Sequence, residues 1–341
     1  MRVTDHGGGV WSIPVPIPDN PLGHTLVYVL ETDRGPVLID TGWDDPASYE
    51  LLERGLNEVG TRISEIHGVV ITHHHPDHHG LSGKVREASG AWVAMHPADI
   101  AVVRRMRDIP PQAWPARMLR RMEEAGAPEE HLAVLRMARD SGLVTTFPGT
   151  DSAIPDREIV PNELLDLAGR RLRAIWTPGH SPGHVCLHLE EAIEGDERGR
   201  LFSGDHLLPE ITPHIGLWEE PDDDTDPLGD YLDSLERIAR LDPAEVLPAH
   251  QHSFRGAENR IQEILVHHEQ RLENLRRLIT DTPRTVWQLA EGMEWNRPWE
   301  QIPFFSRNIA VSEAAAHLRR LVKAGLAEPV PDTEPVRYRA V

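Results

Sequence analysis

"VVITHHHPDHHG", residues 69–80, places five histidines and one aspartate within positions 73–79. An apolar, β-branched run ends near Thr72 and meets that cluster directly. In extended backbone, residues two apart point the same way, so His73 and His75 converge while His74 points elsewhere. Pro76 suits the first turn of a helix, where its missing N–H would be unpaired anyway. Asp77 and His78 fall in that turn, close to the first pair but aimed at a neighbouring point. The segment thus offers two ligands to one metal ion and two to a second, and Gly80 allows close packing behind them. A tag or a chance run of surface histidines would not follow a buried strand, nor set Pro and Asp where a helix begins.

The flanking sequence reads as layers. "HTLVYVLE" and "PVLIDTG" are β-rich runs separated by the turn signal "TDRG". A helix is expected over 47–59, another over 77–88 ending at Ser89-Gly90, and "AWVAMH" as the next strand. Strands alternating with helices predict an α/β fold. Residues 98–142 break the alternation with a helical insert carrying Arg104, Arg105, Arg107, Arg117, Arg120 and Arg121. It reads either as a cap over a site or as a solvated helix pair, since Glu123, Glu124, Glu129 and Glu130 follow closely. Beyond it, apolar strands at 172–177, 200–203 and 245–249 each run into a polar cluster containing His or Asp. Ligand sites in layered α/β folds gather at strand ends.

From residue 256 the composition changes. "AENRIQEILVHHEQRLENLRRLI" is a long amphipathic helix, two further helices follow, and "AEPVPDTEPVRYRAV" reads as a hairpin. That outline predicts a winged-helix-like domain over 256–341, behind a domain spanning 1–255. Residues 255–341 hold 13 Arg or Lys against 12 Asp or Glu, a balance that favours packing or homodimer formation over DNA binding.

Bulk numbers bound the function. The chain has 341 residues and a net charge of −20, so it is a poor default binder of nucleic acid, whose phosphates require clustered Lys and Arg. The single cysteine, Cys186, excludes an internal disulfide and a thiolate zinc cluster, and suits a cytoplasmic protein. No membrane span is expected, and the N-terminus lacks the basic start and apolar run of a secretion signal.

His73-His74-His75-Pro76-Asp77-His78 resembles the His-x-His-x-Asp-His motif of the metallo-β-lactamase superfamily. Three later stations match in order: "TPGHSPGH" giving His180, "LFSGDH" giving Asp205 and "VLPAHQH" giving His250. "VLIDTG" is similar to the family's second strand, with Asp40 as a supporting residue. The resemblance covers about residues 10–255 and implies an αββα sandwich with its site at one edge. It implies that His73, His75 and His180 hold one metal, that Asp77, His78 and His250 hold the second, and that Asp205 bridges them. Two Zn²⁺ are the default, with Fe or Mn also compatible with imidazole and carboxylate. His184 competes with His180, and His252 with His250. Ala249 stands where the family usually has Gly.

Two such ions, about 3.5–4 Å apart, share a hydroxide formed at neutral pH and stabilise both attacking and leaving oxygens. The resemblance therefore implies a binuclear hydrolase, with Asp205 as bridge and Asp77 both a ligand and a proton handler for the leaving group. His206 and His214, in the loop after Asp205, are candidates for contacting substrate. The acidic chain and the arginine-bearing insert favour a small-molecule ester, thioester or lactone, including an anionic acyl thioester. The motif set with a winged-helix-like tail also resembles β-lactamase-like protein 2, which implies a phosphodiesterase or endoribonuclease. An iron-dependent dioxygenase fits the ligand types less well, because seven ligands suit two metals.

Overall fold

The computed structural model describes residues 2–110, 113–141, 151–193, 195–217 and 224–341. Pro111, Gln112 and Gly142 of the insert, and Trp218 after the His214 loop, lie outside the described residues. The chain divides into two compact units. The first comprises Met1–Asp108, Pro148–Pro213 and Asp233–Ile261; the second comprises Ile109–Phe147, His214–Leu232 and Gln262–Val341.

The first unit begins with strands β1 (Thr4–Asp5), β2 (Val10–Pro16), β3 (His24–Leu30) and β4 (Val37–Ile39), then helix α1 (Pro46–Glu58). Asp45 caps α1 by accepting from the Ala47 amide at 2.9 Å, with proline in its first turn, the expected start signal. Next come β5 (Gly68–Val70), α2 (Pro76–His79), α3 (Ser82–Ser89), β6 (Trp92–Met95), α4 (Pro97–Asp108) and, past the second unit's first segment, β7 (Arg157–Glu158). These seven strands form one sheet in sequence order, antiparallel to β4 and parallel from β4 onward.

Alternation along the strands explains how this sheet is covered on both faces. Leu26, Tyr28 and Leu30 of β3 point into one core, and Val27 and Val29 into another. The second of these cores also takes Leu52 and Leu56 from α1, Val85 from α3 and Ile100 and Val103 from α4. The first takes Leu172, Ala174, Val185, Leu187, Leu189, Phe202 and Leu247, which belong to a second sheet. Its strands are β8 (Leu172–Trp176), β9 (Val185–Leu189), β10 (Arg200–Gly204) and β11 (Glu245–Pro248), ordered β11-β10-β9-β8. Two sheets thus pack face to face, with helices over the outer face of the first. Helix α7 (Pro227–Leu241) follows β10, and from Asp233 onward it belongs to this unit. There the Ser234 hydroxyl donates to the Pro178 carbonyl at 3.1 Å.

The helix expected over 77–88 is two helices. After α2 the Leu81 amide leaves the helical ladder and donates to the Gly42 carbonyl at 3.1 Å, so the chain kinks between Gly80 and Ser82. The kink lets α2 sit against the turn after β4 while α3 runs along the sheet.

The helical segment 98–142 also divides. Helix α4 belongs to the first unit, while α5 (Trp114–Glu124) and α6 (Glu129–Ser141) belong to the second. Their apolar residues Leu119, Met122, Leu132 and Leu135 join a core with Leu275, Trp287, Leu289, Val311 and Leu318. The polar faces of α5 and α6 pair among themselves, with Arg120 on Glu124 and Arg136 on Glu123. The same unit holds most of α8 (Ala257–Leu278), then α9 (Val286–Gly292), α10 (Phe304–Lys323) and a small antiparallel sheet of β12 (Arg284–Thr285), β13 (Ala327–Val330) and β14 (Arg337–Ala340). Among the described residues, no helix is long and apolar enough to cross a membrane.

Candidate metal centre

Five of the seven candidate ligands leave the carboxyl ends of strands, and Asp77 and His78 lie on α2, which follows β5. His73 and His75 follow β5, His180 follows β8, Asp205 directly follows β10, and His250 lies two residues past β11. Strands β4, β5 and β6 are parallel, as are β10 and β11, so these ends gather at one edge of the sandwich. Cross-sheet hydrogen bonds fix that edge. The Val185 amide donates to the Thr72 carbonyl (2.9 Å), the Leu26 amide to the Ala249 carbonyl (2.6 Å) and the Tyr28 hydroxyl to the Pro248 carbonyl (2.7 Å).

Two clusters result. His73, His75, His180 and Asp205 bring one ligand atom each within 4.8 Å of one another, and Asp77, His78 and His250 do the same. Asp205 reaches both clusters. Its Oδ2 lies 3.4 Å from His180 Nε2, and its Oδ1 lies 3.3 Å from His78 Nε2 and 3.2 Å from His250 Nε2. Asp77 Oδ2 lies 3.4 Å from His250 Nε2 and 3.6 Å from His78 Nε2. The backbone aims Asp205 by an irregularity: the β10–β11 register shifts between Phe202 and Gly204, and Gly204 has φ 51°. A bulge of this kind redirects the next side chain.

Residues around the clusters hold the rings. His78 Nδ1 pairs with Asp40 Oδ2 at 2.8 Å, and Asp40 also accepts from the Thr72 amide at 2.8 Å. The Thr72 hydroxyl in turn meets His73 Nδ1 at 3.1 Å. His250 Nδ1 meets the His24 carbonyl at 2.9 Å. Each of these rings has its outer nitrogen engaged and its Nε2 turned inward. The buried atoms His73 Nε2, His78 Nε2, His250 Nε2 and Asp205 Oδ1 have no hydrogen-bond partner among the described residues. Leaving one such atom unsatisfied costs about 1–3 kcal/mol. Several of them converging fit a cation, and imidazole with carboxylate is a donor set that divalent ions accept. Asp40 sits at φ 60°, a left-handed conformation that L side chains rarely adopt, and its contacts to Thr72 and His78 hold it there. Asp40→Ala is expected to lower metal affinity about 10–100-fold, read by chelator competition.

Electrostatics follow the same division. Burial, then His78, hold the His73 ring well below its ordinary pKa; burial, then His180, do so for His75. His78 and His250 go the other way. Burial opposes their charge, but Asp205 and Asp77 outweigh it, raising His78 and pushing His250 up to about 10. Burial favours the neutral form of Asp205 and Asp77, yet His250 and His78 hold both carboxyls low.

The competing histidines sort by geometry. His184 is fully buried, with Nδ1 on the Thr177 hydroxyl (2.8 Å) and Nε2 accepting from the Asp205 amide (3.2 Å), so both its nitrogens are occupied. It supports Asp205. His252 is exposed. His206 is fully buried, its ring 5.9 Å from that of His184, and burial lowers its pKa to about 3. His214 belongs to the second unit, where it lies 3.7 Å from Glu313. Neither His206 nor His214 joins the two clusters. Burial pushes the Cys186 thiol up to about 12, which makes it inert.

Asp99 is the main residue that sequence reading passes over. It is wholly buried in the first turn of α4 and accepts from the His74 amide (2.8 Å), the Ser181 hydroxyl (2.8 Å) and the Gly183 amide (2.6 Å), while His74 Nδ1 lies 3.0 Å away. Burial works against its charge, but His74 and these donors outweigh it and hold the carboxyl at about 2. The available signal is its position on the apolar stripe of α4, beside Ile100 and one turn before Val103.

Comparison with known proteins finds likenesses along most of the chain. The family model described as the metallo-beta-lactamase superfamily matches residues 20–250. A relative in Bacillus subtilis, named probable metallo-hydrolase YqjP, is 26% identical over 313 residues, covering 91% of each chain. The beta-lactamase-like protein 2 homolog of Drosophila melanogaster is 24% identical and covers 90% of this chain and 86% of its own. Among solved structures, a metallo-beta-lactamase family protein from Thermus thermophilus is 31% identical with TM-score 0.78, over 99% of this chain and 100% of that one. A beta-lactamase domain protein from Burkholderia ambifaria is 25% identical with TM-score 0.82, over 99% and 94%.

Proposed function

We propose that this chain, which belongs to the metallo-β-lactamase superfamily, is a binuclear hydrolase that cleaves an ester, thioester or lactone. The carrying observation is the span of Asp205, whose two oxygens face different clusters. His73, His75 and His180 would hold one ion, Asp77, His78 and His250 the other, with Asp205 shared. Two divalent ions there, zinc by default, would supply Lewis acidity and a water acidified to a pKa of about 7.

The chain's own residues do the rest. Asp40 and the His24 carbonyl fix ring orientation. Asp77 lies at the edge of its cluster and passes the proton of the attacking water to the leaving oxygen or sulfur. The acyl carbon thus exchanges its bond to that atom for a bond to water oxygen. The acidic chain supports a small acyl substrate over a nucleic acid, and the exposed Arg104, Arg105 and Arg107 of α4 support an anionic one. His214 remains a proposed substrate contact, while His206, expected beside it, is fully buried and does not reach a substrate. Residues 1–255 are proposed as the catalytic domain, with α5 and α6 packed in the core of the second unit, and 256–341 as a winged-helix-like packing or dimerisation domain in a cytoplasmic protein.

A second reading, phosphodiester or RNA cleavage, is favoured by the match to a beta-lactamase-like protein 2 homolog over 90% of this chain. One experiment separates the two. Elemental analysis is paired with rates on an acyl-CoA, a glutathione thioester, a lactone, a phosphodiester and a short RNA. Near two zinc ions per chain with acyl cleavage is the expected result. RNA binding at about 50 mM salt with phosphodiester cleavage alone would replace it, because electrostatic binding is strongest at low salt. One iron and no hydrolysis would end both readings.

A further inference from the structure

We propose that Asp99 is a positioning residue that locks the His75 and His180 loops together, so that the first cluster's metal affinity depends on a carboxylate outside it. This rests on the two-metal reading above. His74 sits between His73 and His75, and Ser181 adjoins His180. Asp99 grips both neighbours, with Oδ2 on the His74 amide (2.8 Å) and the Ser181 hydroxyl (2.8 Å) and Oδ1 on the Gly183 amide (2.6 Å). The His74 ring adds a charge-assisted contact at 3.0 Å. One side chain on α4 therefore joins a loop from the first sheet to a loop from the second.

The close approach is built in. A Cβ on Gly183 would lie 2.5 Å from the Asp99 amide nitrogen and 2.7 Å from Asp99 Oδ1. The target is narrow as well: His180 Nε2 lies 3.0 Å from His75 Nδ1, so these two rings depend on their loops keeping a short separation. The second cluster has separate supports in Asp40 and the His24 carbonyl. Loss of Asp99 therefore acts on one cluster and spares the other. An amide at this position keeps the size but turns an NH₂ group toward donors, so at least one of the three is left unpaired.

The test is a Co²⁺ titration of the metal-stripped full chain, followed by ligand-field absorption and chelator competition. The wild type is expected to bind two ions per chain in two resolvable steps. Asp99→Asn should weaken one step about 10–100-fold, the range for residues that orient metal ligands. That step should be the one removed by His180→Ala, and the step weakened by His250→Ala should be unchanged. Equal weakening of both steps, or wild-type affinity at both, would overturn the role of Asp99 while leaving the two-metal reading intact. A wild type that binds no Co²⁺ would defeat both. If Asp99→Asn does not fold, Ser181→Ala removes a single donor. It should weaken the same step to a smaller degree, and an unchanged titration would count against the proposal.

Discussion

Asp205→Ala should lower kcat/KM on any active substrate by at least about 10³-fold, equivalent to about 4 kcal/mol of transition-state stabilisation. Two effects combine. The carboxylate stands between His180 on one side and His78 and His250 on the other, at 3.2–3.4 Å. Its removal would take a candidate ligand from both clusters together, so metal content should fall at both. It also leaves Asp40 at 2.8 Å and Asp77 at 3.6 Å as the remaining carboxylates beside His78, and Asp77 at 3.4 Å beside His250. Elemental analysis and steady-state rates on the same preparation check the prediction. A variant that keeps both metals and loses less than tenfold in rate would remove Asp205 from the centre of the site. Asp205→Asn, which preserves shape, should fall nearly as far, because a neutral amide is a far weaker ligand than a carboxylate and does not bridge two divalent ions as a carboxylate does.

The second large effect concerns a residue with no side chain. Gly80→Ala should destabilise the protein by about 3 kcal/mol and deplete metal from the Asp77 and His78 cluster. The added carbon would lie 2.4 Å from the Pro76 carbonyl oxygen, 2.7 Å from the Asp44 nitrogen and 2.9 Å from the Gly42 oxygen. All three are backbone atoms, so no side chain can swing aside. Alanine's better helix propensity returns at most about 1 kcal/mol, too little to offset the clash. Relief must come from α2 moving away from the turn after β4, and α2 carries Asp77 and His78. Thermal unfolding with and without chelator separates the two parts. The stability loss should persist without metal, and the stabilisation gained on adding metal should shrink.

The centre is legible in the sequence because its chemistry is written in short runs. A buried strand ending in His-His-His-Pro-Asp-His needs only the strand period and a helix start to bring four candidate ligands together. Three further strand ends supply His180, Asp205 and His250. Asp40 is readable for the same reason, at the end of "VLIDTG". Asp99 is not, because its value lies in meeting Ser181 and Gly183, distant in sequence and close only after the sheets pack. The break at Gly80 escapes sequence reading on similar grounds: Leu81 leaves the helix for the carbonyl of Gly42, a tertiary partner that no local propensity encodes. The insert reads as helical, a cap or a solvated helix pair, but its division between two units is not legible. Its apolar stripe on α5 and α6 packs with α9 and α10, and a stripe alone names no partner.

The stitching of the two sheets at a single edge also bears on how the molecule comes together. The bonds from Val185 to Thr72 and from Leu26 to Ala249 close loops spanning most of the first unit, and such long-range closure is slow because chain entropy is lost before contacts repay it. Neither half of the chain can assemble the seven-residue set alone. A cation held there would act as a rivet through the rim where the two plates meet. The same rim is the natural place for the plates to part first when the rivet is withdrawn.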